Sequence, residues 1–349
     1  NGRDLLTTID RSVQYIVERE LEKGLKRYGA KSGSVVVMEP GGAILAMVAL
    51  PTYDPARYWQ YNKELYSNPN IAFAYEPGST FKIAVMSAAL NEEVVKPDTR
   101  CDRCDGPRVI ADYVIKTWNE KYFPNCTATE IIEHSDNVGM VFVGEELGID
   151  RLVEYLKKFG LGEKTGIDLE DELTQELRPK KDWKLIDLAT ASFGQGIALT
   201  PIQMTRIAAV IANGGKLIRP YVVKEIIGDE KKIEIGSKIE REVISSATAK
   251  VMTEMMVNAV DKGEAKWAKP AGYRIAGKTG TAQIPVAGHY DEEKTIASFI
   301  GFAPADEPKF VMLITLREPT SSPWGSETAA PLWFDIAKEL FNYYGILPE

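Results

Sequence analysis

The sequence predicts an α+β chain: one sheet assembled from both chain ends, with a helical lobe inserted in the middle. Three observations predict it. A helical pattern and two strand-like runs open the chain, three more strand-like runs and a helix close it, and the stretch between reads mainly as helix and loop. No low-complexity linker divides these parts, so a single domain over 1–349 is expected. Its sheet lobe would cover about 1–50 and 263–349, and its mainly helical lobe about 51–262.

Each element follows from pattern. Val13, Ile16, Val17 and Leu21 recur at helical spacing, which predicts a helix over Arg11 to about Tyr28 with Asp10 as its N-cap. Residues 33–38 and 43–49 are strand-like runs, and Glu39-Pro-Gly-Gly42 between them reads as a hairpin turn. The Tyr/Pro/Asn-rich segment 51–77 reads as loop. Helical patterns follow over 79–91, 127–147, 150–159, 184–192, 200–213 and 246–262. Strand character returns over 273–283, 295–302 and 309–316. The last helix, about Ala329 to Tyr344, is expected to bury Leu332, Phe334, Ile336 and Leu340.

Composition narrows the function classes. At 349 residues, 44% hydrophobic and 26% charged, the chain can bury one large core or two modest ones. The formal charge of −8 argues against nucleic acid as a partner, because phosphate recognition wants a basic face. No apolar run approaches the roughly 20 residues that span a bilayer. The opening Asn1-Gly-Arg-Asp4, running straight into Leu-Leu-Thr-Thr-Ile, reads as the interior of a longer protein. Cys101, Cys104 and Cys126 are open to three readings: a disulfide between two of them, free structural thiols, or a metal site. For metal, His134 is the nearby residue that would complete a set with Cys126.

Three short motifs carry chemistry. Ser79-Thr-Phe-Lys82 opens a helix, and residues i and i+3 share a helix face, so the Lys82 amine can reach the Ser79 hydroxyl. A serine needs a neighbouring base to become nucleophilic, and lysine serves when burial or another cation lowers its pKa. Free N–H groups at the helix start face developing negative charge. In Ser135-Asp136-Asn137, Ser135 would relay a proton to a leaving amine and Asn137 would hold a substrate amide. In Lys278-Thr279-Gly280-Thr281 on a strand, Gly280 leaves room for a substrate backbone by strand addition. Lys278, with a threonine hydroxyl, would hold a carboxylate or activate Ser135. Taken singly, the first two motifs have bland readings: an N-cap serine with a surface lysine, and a helix-capping Ser/Asp pair.

Together and in this order they are the S-x-x-K, S-D-N and K-T-G set of penicillin-binding proteins and class A β-lactamases. Their flanks extend the match: Glu76-Pro-Gly-Ser79, Ser192-Phe-Gly-Gln-Gly196 through Gln203, and Ala276-Gly-Lys-Thr-Gly-Thr-Ala-Gln283. So do Thr7-Thr-Ile-Asp-Arg11 and Asn213-Gly-Gly-Lys-Leu-Ile-Arg-Pro220. Over nearly its whole length the chain resembles the transpeptidase domain of class B (monofunctional) penicillin-binding proteins.

The resemblance implies a penicillin-binding/β-lactamase-like transpeptidase fold, a mainly antiparallel sheet flanked by helices, and peptidoglycan D,D-transpeptidation through a serine acyl-enzyme. Ser79 would be acylated, Lys82 would be its base, and Ser135 would shuttle the proton to the departing D-alanine. Asn137 would position the donor peptide and Lys278 would support Ser135. Thr279 and Thr281 would grip the terminal carboxylate beside Gly280, and the backbone N–H groups of Ser79 and Thr281 would form the oxyanion hole. Stem peptides ending in D-Ala-D-Ala are the implied substrates and β-lactams the implied inhibitors, with no metal or organic cofactor. The implied parent is anchored in the cell membrane by a segment outside this sequence, with its catalytic domain extracytoplasmic. It would partner a SEDS-type glycan polymerase, and the matches lean to the septal branch over the elongation branch.

Competing readings make distinct expectations. Gly272 to Thr279 also fits G-x-x-x-x-G-K-T, but a P-loop must follow a strand and open a helix, and Gly280 through Gly288 cannot start one. Glu170-Asp-Glu-Leu-Thr174 echoes the loop of the deacylating glutamate in class A β-lactamases; the bland alternative is an acidic surface loop. His134 and His289 permit a Ser-His-Asp hydrolase by count, yet no G-x-S-x-G elbow occurs. Trp118, Trp183 and Trp267 read most simply as packing, with a place along a cleft as the alternative. The same site with water as acceptor (a carboxypeptidase or β-lactamase) and a binding-only penicillin sensor are the rival functions.

Overall fold

The computed structural model describes residues 2–228, 231–286 and 289–349, and no side chain within 285–293 is described. Asn1 and Gly288, which figured in the sequence reading, therefore lie outside the described residues, as does the His289 side chain.

Helix α1 (Arg11–Tyr28) starts where Asp10 Oδ1 accepts the N–H groups of Ser12 and Val13 at 2.8 and 3.1 Å, and it ends on the left-handed Gly29. Strands β1 (Ser32–Met38) and β2 (Ile44–Leu50) form the expected hairpin. Helices α2 (Lys82–Asn91), α3 (Ala128–Glu133), α4 (Asn137–Lys158), α5 (Leu185–Ser192), α6 (Pro201–Ala212) and α7 (Ser246–Lys262) follow. The chain closes with β3 (Ala276–Val286), β4 (His289–Ala303), β5 (Phe310–Arg317) and α8 (Ala329–Tyr344).

One five-stranded antiparallel sheet, in the order β3-β4-β5-β1-β2, joins the two chain ends. Side chains alternate across a strand, and here both faces are covered. Val35, Val37, Phe310, Met312 and Ile314 share a core with α1 and α8, including Val13, Leu21, Trp333 and Phe334. Val36, Met38, Val311 and Leu313 belong to the second core, with residues of α2, α4, α6 and α7. Two-sided burial explains why these strands read as unbroken apolar runs. Leu332, Phe334, Ile336 and Leu340 of α8 are buried as expected.

The middle of the chain departs from the sequence reading in four ways, the first being that the segment 51–77, read as loop, carries the 3₁₀ turns Pro55–Gln60 and Lys63–Tyr66 and the short helix Pro69–Ala72. The helix expected over 127–147 is two, broken at Ser135, which takes φ +55. The gap expected between 147 and 150 is only a kink inside α4, at Gly148. Strands also occur where none was expected: 108–110 pairs with 113–115, and 216–219 pairs with 238–242. Residues 223–227 pair with Asp4–Thr7 and with 232–234, which ties the first residues to the middle segment and not to the large sheet. These short strands are mostly exposed and carry little apolar signal.

Cys101 and Cys104 form a disulfide, and Cys126 is a buried free thiol. Trp267 is 61% exposed, so packing does not account for it, whereas Trp183 packs partly against the core. No helix among the described residues is long and apolar enough to cross a membrane.

Candidate active site

Ser79 lies in a short 3₁₀ turn, Gly78–Phe81, that runs directly into α2. Gly78 holds φ +55, and a Cβ there would sit 2.8 Å from Thr281 O, so the turn and strand β3 touch. Behind the turn, the Gly78 N–H donates to Gly194 O at 3.0 Å, and a Cβ on Gly194 would lie 2.0 Å from Gly78 O. The Gly196 N–H donates to Glu76 Oε1 at 3.0 Å. The Phe193-Gly-Gln-Gly196 run is thus the backing of the serine turn, and its first glycine is dictated by backbone contact.

Lys82 enters the interior on α2, a helix buried on nearly every face. Its side chain is inaccessible to solvent, and Nζ donates to Ser135 O at 2.5 Å and to Asn137 Oδ1 at 2.8 Å. Ser135 Oγ lies 3.2 Å from the same nitrogen. The Asn137 amide is oriented by its Nδ2, which donates to Lys116 O at 3.2 Å and so turns Oδ1 toward Lys82. The break between α3 and α4 makes this convergence possible. The left-handed Ser135 reverses the chain, and Asp136 caps α4 by accepting the Val138 and Gly139 N–H groups at 2.8 and 3.1 Å.

Lys278 approaches Ser135 from the sheet side. Its Nζ donates to Ser135 Oγ at 2.9 Å and to Thr279 Oγ1 at 3.1 Å. One hydroxyl thus stands between two buried lysines. Burial, and next the positive charge of Lys278, push Lys82 well below the ordinary lysine value, against the pull of Asp136 and Glu264. Burial also lowers Lys278, to about 8, with Glu264 opposing. Asp136 is raised, because its burial outweighs the N–H groups it accepts and the nearby Lys82.

Ser79, Ser135, Asn137, Thr279, Gly280 and Thr281 line one narrow cleft of about 60 Å³. A larger cavity of about 620 Å³, lined by Tyr53, Tyr66, Phe73 and Arg317 among others, includes none of the motif residues. Size and chemistry therefore point to different places, and chemistry defines the site. Strand β3 is a sheet edge, pairing only with β4 among the described strands. The space left by Gly280 is used by the protein itself. A Cβ there would meet Ser298 Oγ at 2.4 Å and Thr80 Cγ2 at 2.7 Å, so internal packing by itself already requires the glycine. Thr281 Oγ1 accepts the Gly325 N–H at 3.0 Å.

Sequence reasoning missed several cleft residues. Trp118 and Trp324 pack together over the cleft with ring centroids 4.9 Å apart, so Trp118 takes the cleft alternative. Glu264 also lines it, with Oε2 3.5 Å from Thr279 Oγ1 and Oε1 buried without a partner. Trp118 was visible as a tryptophan; nothing in the sequence around Glu264 or Trp324 marks them, because only the fold brings them to the motifs.

The decoys resolve in turn. Gly277, Lys278 and Thr279 lie within β3, with no helix following, so there is no P-loop. Glu172 is turned into its own loop, accepting the Thr165 N–H at 2.6 Å, the Thr165 hydroxyl and the Gly166 N–H at 3.1 Å. Neither it nor Glu170 lines the cleft. His134 stacks on Phe123 with ring centroids 3.9 Å apart, a structural role.

Comparison with known proteins shows which family the chain belongs to. A family model described as the penicillin binding protein transpeptidase domain matches residues 33–342. The chain is 38% identical to the stage V sporulation protein D of Bacillus subtilis, over all of this chain and 55% of that protein. It is 32% identical to a peptidoglycan D,D-transpeptidase FtsI homolog of Mesostigma viride, over 99% of this chain and 62% of that one. The crystal structure of penicillin binding protein 3 from Mycobacterium tuberculosis, complexed with aztreonam, superposes with a TM-score of 0.93 at 29% identity. That match covers 100% of this chain and 81% of the other. The chain belongs to the penicillin-binding protein transpeptidase family, with the α+β fold that the sequence predicted. It spans less than two thirds of the length of these two curated relatives.

Proposed function

We propose that this chain is the transpeptidase domain of a class B penicillin-binding protein and cross-links peptidoglycan stem peptides through a Ser79 acyl-enzyme. The observation that carries the reading is the bonding of Lys82. A neutral lysine amine has two N–H donors and one lone pair. Ser135 O and Asn137 Oδ1 take the donors at 2.5 and 2.8 Å, which leaves the lone pair to accept a hydroxyl proton. The depressed pKa favours that neutral form, while Lys278 remains largely protonated below about pH 8.

The steps follow. Ser79 Oγ attacks the carbonyl between the two terminal D-alanines, and its proton passes to Lys82 Nζ. The N–H groups of Ser79 and Thr281 would hold the oxyanion, a placement supported by the contact between the serine turn and the strand at Thr281. The C–N bond then breaks. Ser135 protonates the departing D-alanine amine and regains a proton from Lys82, 3.2 Å away, while the Lys278 ammonium stabilises its oxygen. Thr279 and Thr281 receive the terminal carboxylate along the open edge of β3, beside Gly280, and Asn137 orients the donor peptide. The amine of a second stem attacks the ester, its proton returns by the same route, and Ser79 is released.

No step requires a metal or organic cofactor. The peptides end in D-Ala-D-Ala, and β-lactams acylate Ser79 in their place. The parent protein would be anchored in the cell membrane with this domain outside it, working beside a SEDS-type glycan polymerase, with the septal branch favoured. The two lobes, about 1–50 with 263–349 and about 51–262, act as one catalytic domain.

Labelling with a fluorescent penicillin tests the reading: the wild type should become covalently labelled and Ser79→Ala should not. Persistent labelling of the variant would sink it. A stem peptide offered with an amine acceptor then separates transfer product from free acid, and free acid alone would make the domain a hydrolase.

A further inference from the structure

Behind the cleft lies a second cluster that the proposed chemistry does not use. The sulfurs of Cys104 and Cys126 and a carboxylate oxygen of Asp136 all lie within 4.8 Å of one another. Cys101 is bonded to Cys104, and its N–H donates to Cys126 O at 2.9 Å, which pins the two segments together. All four residues are buried, Asp136 at 1% exposure. Asp136 Oδ1 is occupied as the cap of α4, but Oδ2 is buried with no partner. A structural disulfide beside an inert thiol accounts for the sulfurs. It leaves a buried carboxylate oxygen unanswered, an arrangement that ordinarily costs stability unless something pairs with it.

We propose that Cys101, Cys104, Cys126 and Asp136 form a binding site for a thiolate-preferring divalent cation, such as zinc, when the Cys101–Cys104 bond is reduced. An external thiol or phosphine reductant supplies two electrons. The S–S bond breaks, two thiols form, and the reductant leaves oxidised. Binding of one cation then displaces the three thiol protons, giving three thiolates and one carboxylate around the ion. Four such ligands suit tetrahedral zinc, whose bonds to sulfur and oxygen run about 2.0–2.3 Å and place ligand atoms roughly 3.5–3.8 Å apart. The cluster needs only to contract by about 1 Å from its present spread, with Cys101 swinging in once released. Disulfide and metal are then alternative states of one cluster. Because Asp136 sits between Ser135 and Asn137, the two residues that hold Lys82, the state of the cluster bears directly on the break between α3 and α4.

The test uses the full chain, reduced with a phosphine, desalted without oxygen, and titrated with cadmium for its thiolate charge-transfer band. Competition with a chromogenic chelator then gives the zinc stoichiometry. The reduced chain should bind one equivalent and the oxidised chain none. Cys126→Ser and Asp136→Asn should each bind at least tenfold more weakly, and Cys126→Ser should lose about a third of the band, one thiolate in three. The asparagine keeps an oxygen for the helix cap, so folding by circular dichroism should persist. If either variant fails to fold, zinc protection of Cys126 from alkylation in the reduced wild type replaces it. Reduced wild type that binds no more tightly than Cys101→Ser/Cys104→Ser, Asp136→Asn that binds like wild type, or Cys126 left unprotected would each overturn the proposal.

Discussion

On the face of the sheet covered by α1 and α8, the strands present Val35, Val37, Phe299, Phe310, Met312 and Ile314 to Trp333 and Phe334. Among the described residues, the polar strand residues with that alternation are Thr279, Thr281 and Gln283 on the edge strand β3 and Thr295 near the start of β4. The opposite face is built from the same strands, one residue out of phase, and it is different in kind. It buries Lys278, Ser298 and Ser34, whose hydroxyl lies 2.8 Å from Thr315 Oγ1, and it packs near Lys82. Both faces exclude water. Only the second is packed by elements that supply backbone carbonyls and amides to a buried amine, through the break between α3 and α4. The comparison separates two uses of burial: one face lowers free energy, while the other holds amines at unusual protonation states at some cost to stability.

The largest expected effect is on the polar face. Lys82→Met should slow acylation by a penicillin about 10²–10⁴-fold, the range for loss of a general base, while chemical denaturation shows stability equal to or above wild type. A variant that acylates normally would move the base elsewhere. The mirror experiment is Phe334→Ala on the apolar face, where the side chain is fully buried against Phe299 and Trp333. It should cost about 3–5 kcal/mol in denaturant unfolding and leave acylation per folded molecule unchanged. A proportionate loss of rate would mean that the two faces are not separable.

A smaller effect concerns Glu264. In the proposed mechanism Lys278 acts charged, so the rate should fall as pH rises through about 8, where that lysine loses its proton. Glu264 favours the charged form. Removing its charge in Glu264→Gln should therefore lower the Lys278 pKa and move the alkaline limb of the pH–rate profile below that of wild type. An unmoved or raised limb would exclude Glu264 from this role.

Much of this was legible beforehand, for identifiable reasons. Helices α1 and α7 and the strands of the large sheet announce themselves by periodicity, because burial on one or both faces writes apolar spacing into the sequence. The motif residues were legible as an ordered set that resembles a known family, since a short spacing taken alone is weak evidence. The break at Ser135 was hidden, since a left-handed serine between two helical patterns has no glycine or proline to mark it. The packing demand on Gly280 was hidden because its neighbours, Ser298 and Thr80, come from other parts of the chain. Trp324, Glu264 and the choice of Cys101–Cys104 among three cysteines depend on contacts that local spacing does not encode.

The gentlest probe of the contrast is Ser298→Ala. Ser298 is 1% exposed, and its hydroxyl has no hydrogen-bond partner, although it lies in the polar row with Gly280, Thr315 and Ser34. A buried hydroxyl without a partner costs its desolvation and returns nothing, so removing it should stabilise the chain by about 1 kcal/mol. The smaller side chain cannot crowd Gly280, because the Ser298 atom that would lie nearest to a Cβ at 280 is the one removed. Acylation should therefore be unchanged. A loss of stability in denaturant unfolding would mean that the hydroxyl is bonded in solution and that the polar row is a connected network. A loss of acylation with stability preserved would instead tie the row to the geometry of β3, and the division between the two faces would then run through the sheet itself.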